Sequence, residues 1–216
     1  MRRYNIMNTL TSIRSISDVL NDLEKGLPAD DVTMSHILDT FHERGFGFFL
    51  FLFALPAALP LPAVGYGTIL GIPLVFLTAQ QAIGQRTIWF PEKWKQKSVK
   101  RTRIEKMVQS ALPWTRRIEK FVKPRLGFIT EGVFTRIIGI FGFIMALSVC
   151  IPLPMTNTVP SFGIALMSIG VVMRDGLAVL TGALIGMLWV CALSFIIITL
   201  GTEGIDFVKD IIKGYL

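Results

Sequence analysis

One pattern occurs twice in this chain at an offset of 92 residues, and both copies break a hydrophobic segment with Pro-Leu-Pro. The first copy has Arg44, Gly47, Phe49, Phe51, Ala54-Leu55, Pro60-Leu61-Pro62, Gly71-Ile72 and Gly84. The second has Arg136, Gly139, Phe141, Phe143, Ala146-Leu147, Pro152-Leu153-Pro154, Gly163-Ile164 and Gly176. Two prolines in three residues exclude an undisturbed helix, because each removes an N–H donor and clashes with the preceding turn. Interrupted hydrophobic segments in matching halves point to a membrane protein built by duplication, with a site near the bilayer midplane.

Hydropathy agrees. Hydrophobic residues make up 52% of the chain, and the uncharged run from Gly176 to Gly201 exceeds the roughly 20 residues that span a bilayer. The start of the sequence lacks an apolar h-region and a small-residue cleavage site, so no secretory signal is expected. Cys150 and Cys191 lie in hydrophobic runs at no metal or redox spacing, which leaves apolar packing as their role. The net charge of +7 is local: residues 84–136 hold 14 of the 22 Lys and Arg against 4 acids. A short basic connector between membrane segments stays in the cytoplasm and favours anionic lipid headgroups over nucleic acid.

Before the first repeat, Val19, Leu20, Leu23 and Leu27 form a helical stripe closed by Gly26 and Pro28. A second short helix is expected after Asp31, with Thr33 as its N-cap. Residues 46–62 and 63–83 form the arms of the first hairpin. The arms of the second, 137–151 and 159–173, reach roughly 22 Å each, which suits a re-entrant hairpin or short tilted spans. Arg44, Arg86, Arg136 and Arg174 flank the hairpins, so both start and end on the cytoplasmic side as parallel repeats. Residues 177–201 then cross. The glycine pairs Gly67/Gly71 and Gly182/Gly186 mark close helix approach.

In the connector, Ile104, Met107, Val108, Ala111 and Leu112 form one stripe, and Trp114, Ile118, Phe121 and Val122 the next. Arg101, Arg103, Arg116, Arg117 and Lys120 lie off these stripes. Such a helix pair either rests in the headgroup region, with Trp89, Trp94 and Trp114 as anchors, or packs on the protein itself.

The junction Leu38-Asp39-Thr40-Phe41-His42-Glu43-Arg44-Gly45-Phe46-Gly47 resembles the ExoD family of bacterial exopolysaccharide-synthesis membrane proteins. The resemblance continues through Ala54–Pro62, Gly65–Leu74, Lys123-Pro124-Arg125-Leu126 and Ile151-Pro152-Leu153-Pro154, and covers roughly residues 30–200. Where the family tends to carry Gly-Glu, this chain has Ser35-His36. The resemblance implies a bacterial inner-membrane protein linked to exopolysaccharide production and its synthesis machinery, with no catalytic residues to carry over.

Enzyme chemistry is not expected. His36 and His42 read as solvated helix residues, Glu43, Asp175 and Asp206 form no carboxylate pair, and no cofactor or metal site is indicated. The candidate substrate-binding residues are Arg44 and Arg136, Pro60, Pro62, Pro152 and Pro154, and the polar groups Thr68, Thr156, Asn157 and Thr158. Arginines could bind a phosphate bidentately, or act only as positive-inside anchors. Unwound proline segments could turn carbonyls and amides toward a substrate, or serve only as tight turns.

The expected architecture is an all-α membrane protein. It has N-terminal helices (1–44), a first membrane hairpin (45–84), a basic amphipathic connector (85–135), a second hairpin (136–176), a transmembrane helix (177–201) and a tail (202–216). A homo-oligomer, with a dimer favoured, would shield the hairpin tips. The leading functional expectation is a non-enzymatic part of exopolysaccharide production that scaffolds the machinery or handles a lipid-linked or anionic intermediate. The rival is a small transporter or channel with its site between the hairpins.

Overall fold

A computed structural model describes residues 16–28, 31–33, 45–59, 66–92, 96, 98–151 and 157–214. The chain is helical: α1 (Ile16–Gly26), α2 (Gly45–Ala57), α3 (Tyr66–Ala82), α4 (Arg101–Glu119), α5 (Val133–Cys150), α6 (Thr158–Met173) and α7 (Gly176–Gly214). Two short strands, β1 (Val32–Thr33) and β2 (Ser98–Val99), pair antiparallel, with Val32 opposite Val99 and Thr33 opposite Ser98. Thr33 is therefore a strand residue. The helix expected to follow it, with His36, His42, Glu43 and Arg44, lies outside the described residues, as does Trp94.

Helix α1 lies along α4, and Leu20, Leu23, Leu27, Ile104 and Val108 are buried in the common core. Polar clasps fix the antiparallel register. Glu119 accepts from the Ser17 N–H and hydroxyl, both at 2.7 Å, which satisfies a first-turn donor that α1 itself cannot pair. Gln109 donates to Glu24 at 3.2 Å, and Arg101 donates to the carbonyls of Leu27 and Pro28 at the other end. The connector thus holds one helix over 101–119 where two were expected. Pro113 forfeits one hydrogen bond inside it, while the clasps at Arg101 and Glu119 hold α1 to both sides of that proline. The apolar face at Ile104 and Val108 is covered by the chain's own helix.

Helices α2, α3, α5, α6 and α7 form the apolar body. Helix α3 packs against α5, α2 against α6, and α6 against α7. Glycine allows each approach. A Cβ on Gly47 would meet Val172 at 2.5 Å and the Ser168 carbonyl at 3.0 Å, and one on the repeat-equivalent Gly139 would strike the backbone of Ala82. Gly163 sits 2.8 Å from the Gly182 carbonyl and 3.0 Å from the Gly186 Cα, measured from where its Cβ would lie. The pair at 182/186 is thus filled within one chain.

Among the described residues two helices are long and apolar enough to cross a membrane, Val133–Cys150 and Gly176–Thr199. The first is longer than the arm expected there: 18 residues extend roughly 27 Å. Helix α7 breaks at Gly201 (φ 54°, ψ −133°), a backbone that only glycine adopts freely, and then continues to Gly214 where a tail was expected. Cys191 faces outward on α7, contrary to the packing role expected of it.

Asp175 joins the body to the connector. It is fully buried and caps α7 by accepting from the Leu177 and Ala178 N–H groups. It also accepts from the Lys123 N–H at 3.0 Å and from Arg125 Nε at 3.1 Å. The backbones of residues 125 and 174–176 bridge as well: Arg125 N–H donates to Arg174 O, and Gly176 N–H to Arg125 O at 2.7 Å. Gly176 is required here, since a Cβ would meet the Leu126 carbonyl at 2.6 Å.

Replacing Asp175 with Ala removes the cap and orphans the Lys123 N–H and the Arg125 charge. We expect a loss of about 2–3 kcal/mol, below the roughly 3–5 for a fully buried pair because Arg125 stays half-exposed. Arg125→Ala leaves the backbone bonds to Asp175 and should cost less, on the order of 1 kcal/mol. Thermal unfolding of the purified protein in detergent checks the ranking; equal losses would place the weight on the ion pair instead.

Candidate functional site

Where α5 stops, Ile151 turns to extended backbone and the last carbonyls of the helix lose their intrahelical partners. Two of the expected site residues meet them. The Thr68 hydroxyl, from the other hairpin, donates to the Cys150 carbonyl at 3.1 Å. The Asn157 amide, with its nitrogen toward α5, donates to the Val149 and Ile151 carbonyls, each at 3.3 Å. The Asn157 carbonyl meanwhile accepts from the Ser161 N–H at 3.1 Å and so starts α6. One residue ends one helix and opens the next.

Glycines bring the second hairpin's turn against α3. The space where a Gly67 Cβ would stand is filled by the Asn157 amide, and a Cβ on Gly71 would lie 2.7 Å from the Cys150 sulfur. Thr158 is half-buried in the first turn of α6. Pro60, Pro62, Pro152, Pro154 and Thr156 lie outside the described residues.

Arg136 is elsewhere. Its guanidinium packs over Gly84 (φ +86°), at the C-terminal end of α3, where a cation meets the negative end of the helix dipole. It sits at the base of the hairpins, opposite the junction built by Thr68 and Asn157. In the connector, Arg101 is taken up by Glu105 and by the end of α1, while Arg116, Arg117 and Lys120 are exposed. Arg103 and Trp114 belong to α4, but their side chains lie outside the described residues. Trp89 is exposed, and its backbone N–H and carbonyl are both clipped by the Gln80 side chain.

The interior holds polar groups that the residue patterns did not single out: Thr78, Gln81, Ser148, Ser161 and Ser168 are all buried. A signal existed. Asn157, Ser161 and Ser168 recur at spacings of four and seven, one face of a helix. Gln80-Gln81 closes an otherwise apolar segment. Among the described residues no group of three or more His, Cys, Asp or Glu could hold a metal ion.

Comparison with known proteins bears on the same elements. Residues 16–195 match the family described as "Exopolysaccharide synthesis, ExoD". The chain is 36% identical over 190 residues to a Synechocystis protein designated slr1875, covering 84% of this chain and 88% of that one. It is 26% identical over 175 residues to Protein ExoD of Rhizobium meliloti, covering 79% and 72% of the two chains. No solved structure matches. The chain belongs to the ExoD family, and that membership ties it to exopolysaccharide synthesis.

Capping predicts a specific order of variants. Asn157→Ala should destabilise the protein by about 1 kcal/mol, the usual worth of a lost hydrogen bond. Asn157→Asp, which sets a carboxylate beside carbonyl oxygens, should lose more than Asn157→Ala. Gly67→Leu should lower the melting temperature most, because it evicts the Asn157 side chain. Melting curves in detergent test the order, and an Asp variant as stable as wild type would contradict the capping geometry.

Proposed function

We propose that this chain is a non-enzymatic inner-membrane component of exopolysaccharide production, and that its two broken-helix hairpins handle a lipid-linked or anionic intermediate. The observation that carries the reading is the junction of Thr68, Cys150 and Asn157, where the broken ends of the two hairpins come together on uncharged hydrogen-bonding groups. The packing of α2 with α6 and of α3 with α5 supports a duplicated pair, since exchanging the repeats converts one contact into the other. Interrupted helices of this kind turn backbone groups toward a guest at the centre of the pair.

A membrane setting is supported by what the helices leave outside. Ile69, Ile72, Leu184, Leu188, Phe195 and Ile198 are all exposed, more apolar surface than a soluble monomer tolerates. Most of the Gly176–Thr199 span is unburied, unlike the core helix of a soluble protein. Outside these spans, exposed Arg116, Arg117, Lys120 and Lys123 surround an 81% exposed Phe121, a pairing suited to anionic headgroups. This basic edge would hold the α1–α4 module against the cytoplasmic leaflet. The rival reading, a small transporter, draws on the buried Ser161 hydroxyl, which has no partner and lies one turn from Asn157.

Complementation of a deletion strain separates the readings. Arg136→Ala, Asn157→Ala and the sequence-equivalent Arg44→Ala should each lower secreted polysaccharide at least several-fold while the membrane level of the protein stays within about half of wild type. Loss of polysaccharide only when Arg116 and Arg117 are both changed to Ala would favour scaffolding instead. Uptake of a solute by the purified protein in liposomes would favour the transporter.

A further inference from the structure

About ten residues along α3 from Thr68, roughly 15 Å from the junction, a second feature lies between the four hairpin helices. A small crevice is lined by Gly47, Thr78, Gln81, Gly142, Met167 and Ser168, together with a few aliphatic side chains. It is about the size of one water molecule. Gln81 is only 1% exposed, and its Oε1 has no hydrogen-bond partner. A buried carbonyl oxygen without a donor is a rare and costly arrangement.

The other polar groups of the crevice offer no donor to it. Thr78 gives its hydroxyl hydrogen to the Leu74 carbonyl at 2.7 Å, and Ser168 gives its own to the Ile164 carbonyl at 2.6 Å. Both oxygens keep lone pairs free. Three neutral acceptors therefore line one crevice, with methionine, glycine and aliphatic side chains as the rest of its wall. A hard metal cation takes six or more oxygens and usually a carboxylate, which this crevice does not supply. A single O–H donor matches both its size and its chemistry.

We infer that the crevice binds one hydrogen-bond-donating hydroxyl, either a water molecule or a hydroxyl of a sugar-like polyol, held by Gln81 Oε1 with Thr78 and Ser168. The glycines at 47 and 142 keep the space open: a Cβ on Gly142 would press on the Thr78 methyl at 2.9 Å, and one on Gly47 would press on α6. This site is independent of the Thr68–Asn157 junction and of the function proposed for it.

Methyl-labelled full-length protein in lipid nanodiscs gives the test. A long-lived hydroxyl should produce cross-relaxation from O–H protons to the Met167 and Thr78 methyls, and Gln81→Met should abolish it. Glucose then distinguishes the sources. Saturable replacement of the water signal by sugar-to-methyl signals identifies a polyol, and an unchanged water signal identifies water; either supports the site. No hydroxyl signal at these methyls in the wild type would overturn it. So would a signal that Gln81→Met leaves intact. If that variant does not fold, Ser168→Ala takes its place, with at least a two-fold weakening expected and an unchanged signal counting against the site.

Discussion

The end of an α-helix leaves carbonyl oxygens without intrahelical partners, and this fold depends on how those oxygens are satisfied. At the end of α5 the donors come from two directions. Asn157 reaches back from the following turn, and Thr68 reaches across from the other hairpin. Neither reach is possible unless the backbones approach closely, and that is what Gly67 and Gly71 allow. The polar requirement and the glycine spacing are therefore one constraint. A larger side chain at either glycine would separate the hairpins and strip the cap together.

The other end of the body is secured by charge. Arg136 lies over Gly84, at the end of α3, while Asp175 fastens the α6–α7 turn to residues 123–125. Through Asp175 the basic connector is tied to the span that starts at Gly176. The α1–α4 module is thus fixed to α7 by a buried carboxylate with four donors, and not by a loose linker. Any force on the module would be delivered to the α6–α7 turn.

Hydropathy and glycine spacing made the apolar helices, the long C-terminal one among them, and the close contacts at Gly71 and Gly182 readable from the residues. The stripe at Leu20, Leu23 and Leu27 was readable too, whereas Thr68 and Asn157 were marked only as polar candidates for a substrate and not as helix caps. The single helix through Pro113 was not, because its continuity rests on clasps to α1 about a hundred residues away, at Ser17 and Glu119. Asp175 gave no local sign either. Its partners are set by the fold's return of Lys123–Arg125 to the turn, and a lone acid beside Gly176 reads only as a helix start. The short strands escaped notice because two residues carry no periodicity.

The buried polar groups among the described residues are nearly all neutral. Thr78, Gln81, Ser148, Ser161 and Ser168 are neutral at every accessible pH, and the one buried carboxylate among the described residues, Asp175, is committed to a cap and an arginine. A path that moved protons would need groups that titrate, and one that moved cations would need carboxylates or rings of carbonyls. Hydroxyls and amides discriminate instead by hydrogen-bond geometry, and they leave a neutral guest its full charge balance. Among the described residues, hydroxyl and amide acceptors lie toward one end of the hairpin helices and capped carbonyls at the other.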